Sequence, residues 1–240
     1  MSDVTTVLEE RKLGYLPPST QATTSITINS VTGNQVGISY NGLINNNPGA
    51  NKNFIAIYQS PTPDFPFGAT TPVVASANVN GNSSGSLIIP AQILVNTSYV
   101  VGYGVGAVAT APAQTYANIC ATAFIPTAGS GYTNASPSLI LNDVESNYIS
   151  IDYNVPNGLT PGNNGAWAGL WVGNNPSYSL APTAYSQITS NTAVGGPLLF
   201  NNIQIQRGTL YSVALFMTGW VKGGIGSLQT AMACTLQFTS

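Results

Sequence analysis

Short runs in which apolar and polar residues alternate make up most of this chain, and the runs fall into two matching series. Ser25-Ile-Thr-Ile28 alternates, Val31 follows, and Gly33-Asn34 supplies a turn. Val36-Gly-Ile38-Ser-Tyr40 alternates again, the pattern of a half-buried strand. A polar loop, Asn45 to Gly49, leads to Phe54-Ile-Ala-Ile-Tyr58. Pro61 to Pro72 is too dense in proline for a central strand, so it predicts an edge or a long loop. Val73 to Val79 and Leu87 to Ile89 read as short strands, and Ala117 to Phe124 closes the series. Between them Ile93-Leu-Val-Asn-Thr-Ser-Tyr99 marks a corner: an apolar residue, a polar turn, then Tyr six positions on. Such a Tyr packs its ring inside and reaches its hydroxyl back to backbone upstream.

After Pro126-Thr-Ala-Gly-Ser-Gly131 the series starts again. Ser138 to Leu141 matches Ser25 to Ile28, Tyr148 to Asn154 matches Gln35 to Asn41, and Trp167 to Trp171 matches Phe54 to Tyr58, each at an offset of 113. The corner Tyr99 and Tyr211 are 112 apart, and Cys120 and Cys234 are 114 apart. A drift this small across five strands is the mark of a duplication. The chain therefore divides into an arm over 1–21, a first repeat over 22–126, a linker over 127–133 and a second repeat over 134–240. The predicted fold is all-β: two tandem antiparallel sandwiches of seven strands each. In the arm, Ser2 is a cap for a short helix with Val4, Val7 and Leu8 on one face, stopped by Gly14 and Pro17-Pro18. The arm is expected either to fray or to dock on its own domain or a neighbour.

Both repeats resemble fibronectin type III domains over most of their length. The resemblance rests on Ile26-Thr-Ile-Asn-Ser-Val31, Val36-Gly-Ile-Ser-Tyr40, the aromatic pair Phe54 and Tyr58, and the Ile-to-Tyr corner. The chain departs from that pattern at Tyr40 and Tyr153, where the family has Trp, and in the corner, where Asn96 and Gly208 stand in place of Pro-Gly. The resemblance implies a binding or spacer module and brings no catalytic residues with it.

Charge changes the picture most by its scarcity. Lys and Arg number 5, Asp and Glu 7, so only 5% of residues are charged where about a quarter is usual. Five cations cannot neutralise a run of phosphates, which argues against nucleic acid, and there is no basic patch for anionic lipid. No apolar run is long enough for a transmembrane helix, and the N-terminus lacks the form of a Sec signal peptide. These features fit an intracellular, virion-associated or non-Sec-secreted protein. There is no His, so the commonest general base and His-ligated metal sites are missing. Asp143, Glu145 and Asp152 have no matches in the first repeat and read as solvated charges. Cys120 and Cys234 are expected as buried free thiols, because equivalent strands of tandem domains seldom touch. No cofactor is called for, and the protein is expected not to be an enzyme.

The resemblance points Phe54, Ala56 and Tyr58 inward, which turns Ile55 and Ile57 outward; in the second repeat Leu170, Val172 and Phe216 turn outward too. Apolar residues on both faces of a central strand leave a surface that must be covered. The expectation is a self-associating structural protein, a subunit of a homo-oligomer, filament, lattice or virion-like assembly, joined through Ile55, Ile57, Leu170, Val172 and Phe216. The alternative is a lectin-like protein with two non-equivalent glycan sites, for which Trp220, in the glycine-rich loop Gly219 to Gly226, is the candidate stacking residue.

Overall fold

The computed structural model describes residues 16–68, 73–174, 176–190 and 194–240. The helix expected within residues 2–13 lies outside the described residues. In chain order the strands are Ser19–Thr23 (β1), Ser25–Thr32 (β2), Gln35–Asn41 (β3), Phe54–Gln59 (β4), Val73–Asn78 (β5), Ser84–Pro90 (β6), Tyr99–Gly104 (β7) and Ile119–Ile125 (β8). They continue with Thr133–Ala135 (β9), Ser138–Val144 (β10), Tyr148–Asn154 (β11), Trp167–Val172 (β12), Ala184–Gln187 (β13), Gly195–Asn201 (β14), Leu210–Phe216 (β15) and Met232–Thr239 (β16). A single 3-10 turn, Pro112–Gln114, is the helical structure among the described residues. The chain is an all-β, sandwich-like protein whose paired strands are antiparallel.

Two three-stranded sheets, β2-β3-β6 and β10-β11-β14, accompany two five-stranded sheets, β5-β4-β7-β8-β9 and β1-β16-β15-β12-β13. The corner tyrosines behave alike in both series. Tyr99 is buried and its hydroxyl accepts the Leu94 N–H at 2.9 Å; Tyr211 is buried and accepts the Gln206 N–H at 2.9 Å. Each ring thus joins the core while its oxygen holds the turn that ends the preceding strand.

The first strand of each series crosses to the other. β1 stands directly before β2 yet pairs along β16, from Ser19 opposite Phe238 to Thr23 opposite Cys234. β9 stands just before β10 yet pairs with β8, Ala135 lying opposite Thr122. The two crossing segments touch where the Thr23 hydroxyl donates to the Pro137 carbonyl at 2.7 Å, and the β1 pairing with β16 runs on as the Thr24 N–H donates to the Ala233 carbonyl at 3.1 Å. The expected boundary at residue 21 therefore falls inside a strand, and the expected linker over 127–133 ends in one. Neither strand carries an alternating apolar pattern. Their contribution is the backbone ladder, at about 0.5–1.5 kcal/mol net for each hydrogen bond.

The two thiols are free and fully buried, as read from the sequence, but the reason given there fails. Thr23 is the register partner of Cys234, and the adjoining Thr24 side chain bonds the Cys120 thiol, so β8 and β16 converge on one segment. Burial pushes both thiols well above their ordinary range.

Deleting residues 1–23 is expected to lower the melting temperature and to strip exchange protection from amides of β16, while β3 keeps its protection. Hydrogen exchange by mass spectrometry reads both; unchanged protection across β16 would refute the pairing.

Candidate functional site

The surface that matters is the outer face of each five-stranded sheet, and the structure reverses the orientation expected for it. Residues directly opposite in a ladder share a face. Ile55 is opposite Tyr103 and Ile57 opposite Val101, while Phe54, Ala56 and Tyr58 are opposite Gly104, Gly102 and Val100. The Tyr103 ring meets Tyr40 of β3, centroids 5.5 Å apart, so the Ile55 and Ile57 face looks into the sandwich. Phe54, Ala56 and Tyr58 therefore look outward. The glycines of β7 make room for that face. A Cβ at Gly104 would overlap the Phe54 ring, and one at Gly102 would stand 2.5 Å from the Phe65 ring.

That outward face is nevertheless closed within the chain. Phe65, from the proline-rich loop, meets Tyr58 edge-on at 5.1 Å, and Tyr116 packs against Phe54 at 5.3 Å. The second repeat follows the same plan. Trp167 stacks on Phe216 at 4.1 Å, with Trp171, Ala214 and Met232 in the same cluster and Tyr178, Tyr185 and Trp220 packed over it. Phe65 and Tyr178 are 113 residues apart, the offset of the duplication, and both close the outer face of their own repeat.

Each repeat also reaches onto the other. Leu43, from the loop after β3, is buried in the Trp167 cluster. From the equivalent loop after β11, the Asn157 carbonyl accepts the Phe65 N–H at 3.0 Å. Gly158 beside it has φ +87, and a Cβ there would lie 2.6 Å from the Phe65 nitrogen and 2.7 Å from its oxygen.

The candidate assembly face is corrected accordingly. Ile55, Ile57, Leu170 and Phe216 are all buried inside the chain: the first three face the sandwich interior, and Phe216 lies under the aromatic cluster. Val172 alone of the five is exposed, at 60%. Trp220 is half-buried, 6.3 Å from Trp167, with its backbone N–H donating to the Gly165 carbonyl, so it is part of the aromatic cover rather than a free platform.

Exposed apolar side chains gather elsewhere, on the loops that close the second outer face. Leu180 is 70% exposed, Val221 45%, Ile225 81% and Leu228 61%. Their loops are tied together: the Gln229 amide donates to the Leu180 carbonyl at 2.9 Å, the Leu228 N–H to the Gly219 carbonyl at 2.9 Å, and the Val221 N–H to the Ser227 hydroxyl at 2.9 Å. Gly224, between Val221 and Ile225, lies against the Tyr185 ring. Lys222 is the one charge in this cluster of loops. In the sequence Trp220 stands out here and its aliphatic neighbours do not. The available signal was a run of aliphatics each flanked by glycine or a polar residue, with no strand to bury them.

Asp143 accepts from the Tyr148 hydroxyl, and Asp152 faces Ile140 across the β10–β11 ladder. Among the described residues no three His, Cys, Asp or Glu side chains come together as a metal site. No protein-family model matches the chain, and neither does any curated protein.

The close approach at Gly158 gives a test of the cross-repeat contact. Gly158→Ala should cost about 1–3 kcal/mol through backbone strain and overpacking against Phe65. Gly173→Ala, with φ +110 and nothing within 4 Å of the new Cβ, carries the strain without the clash. Thermal unfolding should rank Gly158→Ala as the less stable; equal losses would mean that the loop gives way freely.

Proposed function

We propose that this protein is a non-enzymatic, self-associating structural subunit built from two immunoglobulin-like or fibronectin type III-like sandwiches. The architecture is supported by the equivalent strands at near-constant offset and by the corner tyrosine hydroxyls bonded to backbone five residues upstream in each repeat. The division falls near residue 126, with β1 and β9 exchanged.

The observation that carries the self-association is the loop patch of Leu180, Val221, Ile225 and Leu228. Burying one such side chain fully is worth about 1.5–3 kcal/mol, which several together turn into a net attraction after the cost of association. Nothing nearby opposes it, since only Lys222 is charged and the whole chain carries twelve charges over 240 residues. A neutral-polar surface of this kind does little to hold copies apart. The same scarcity of acid-base groups, with no His in the sequence, favours a structural role over a catalytic one.

The triple variant Leu180→Asp, Ile225→Asp, Leu228→Asp should shift the mass measured by light scattering from oligomer to monomer without lowering the melting temperature, because all three side chains are exposed. A wild type that stays monomeric at high concentration, or an oligomer that survives the triple change, would reject the reading.

A further inference from the structure

Two adjoining depressions on the first repeat form one groove that the self-association reading does not use. One, of about 250 Å³, is lined by Gly49, Lys52, Asn53, Asn78, Asn80 and Val108. The other, of about 140 Å³, is lined by Phe54, Ser76, Asn78, Val108 and Tyr116. Asn78 and Val108 belong to both, so the two are continuous.

The walls of this groove are set by buried amides. Asn53 is 1% exposed; its Nδ2 donates to the Tyr103 hydroxyl at 2.9 Å and its Oδ1 accepts the Gly106 N–H at 3.2 Å. Asn118, fully buried, donates through Nδ2 to the carbonyls of Val105 at 2.6 Å and Ala107 at 2.9 Å. The segment leading to Val108 is thereby fastened from both sides. Lys52 and Tyr116 hold φ of +58 and +63. They are the left-handed residues, among those described, that are neither Gly nor Asn, and both line the groove. Backbone strain of this kind gathers at ligand clamps, and it persists where the surroundings over-determine it.

What lines the groove is chemically mixed. Asn78, Asn80 and Lys52 are exposed, and their side chains make no hydrogen bond or ion pair with other described residues. Ser76 adds a hydroxyl, and the Asn80 carboxamide oxygen lies across from Gly49. Beneath them the Phe54 edge, Val108 and the half-buried Tyr116 ring supply an apolar floor. Two free carboxamides offer donors and acceptors side by side, while a ring and aliphatic carbons offer a face to pack on. A pyranose sugar has the complementary form, an apolar C–H face bordered by hydroxyls. No acidic side chain lines the groove to demand a cation, and one Lys does not make an anion site.

We propose that this groove, formed by Lys52, Asn78, Asn80, Val108 and Tyr116, is a binding site for a neutral saccharide of one or two pyranose units. The sugar stacks on Tyr116 and Val108 and takes hydrogen bonds from the Asn78 and Asn80 amides. The site is separate from the Leu180 and Ile225 patch, so the assembly and the sugar site stand or fall independently.

Saturation-transfer NMR on the full chain tests this with glucose, galactose, mannose, N-acetylglucosamine and xylose, together with their β-linked disaccharides. Transfer to the ring protons of at least one sugar is expected. The Asn78→Ala, Asn80→Ala double variant should weaken that sugar's binding at least tenfold while melting at the wild-type temperature. Trp220→Ala, in the other repeat, should leave the affinity unchanged. No transfer from any of these sugars at millimolar concentration would overturn the proposal. So would transfer that survives the double variant, or that is lost with Trp220.

Discussion

A β-sheet with apolar side chains on both faces must be covered twice, and that requirement shapes this molecule. The inner face of β4, with Ile55 and Ile57, closes against the partner sheet in the usual way. The outer face, with Phe54 and Tyr58, has no third sheet to meet. It is closed by loops carrying Phe65 and Tyr116, and in the second repeat by Tyr178 and Trp220 from loops with Tyr185 of β13 around Trp167. Loops alone do not finish the cover. Leu43 goes into the Trp167 cluster and Asn157 fixes the backbone of Phe65, so each repeat closes the other. The exchanged strands β1 and β9 extend the same reciprocity to the sheet edges, which would otherwise stand open along β16 and β8.

Much of this was legible in the residues and some was not, for physical reasons. The strands were legible because period-two alternation with turn residues between is a strong local signal. The corners were legible because Tyr99 and Tyr211 each sit six residues beyond an apolar anchor. The orientation of β4 was not: Phe54, Ile55, Ala56, Ile57 and Tyr58 are all apolar, and an alternation without polar members has no phase. The phase was written on the neighbouring strand. Gly102 and Gly104 oppose Ala56 and Phe54, and glycine on that side leaves space for a ring that overlies the sheet. β1 and β9 were not legible at all, because Ser-Thr-Gln-Ala-Thr and Thr-Asn-Ala pair through backbone and bury little.

The covered faces also relocate the surfaces available for function. Ile55, Ile57, Leu170 and Phe216, expected to join copies, are spent inside the chain, and a group of exposed aliphatics lies on the loops that cover the second outer face. The two repeats have diverged on those loops. In the first, the cover leaves an amide-lined groove beside Tyr116; in the second, it ends in the exposed Leu180, Ile225 and Leu228. The two matching series of strands thus carry a polar depression on one and an apolar patch on the other.

If each repeat completes the other, the two unfold together and do not stand as separate modules. Differential scanning calorimetry of the intact chain, at concentrations where it is monomeric, tests this most directly. Mutual cover predicts one transition whose calorimetric and van't Hoff enthalpies agree for the whole chain. Two resolved transitions, or a single transition whose calorimetric enthalpy is about twice its van't Hoff enthalpy, would contradict it.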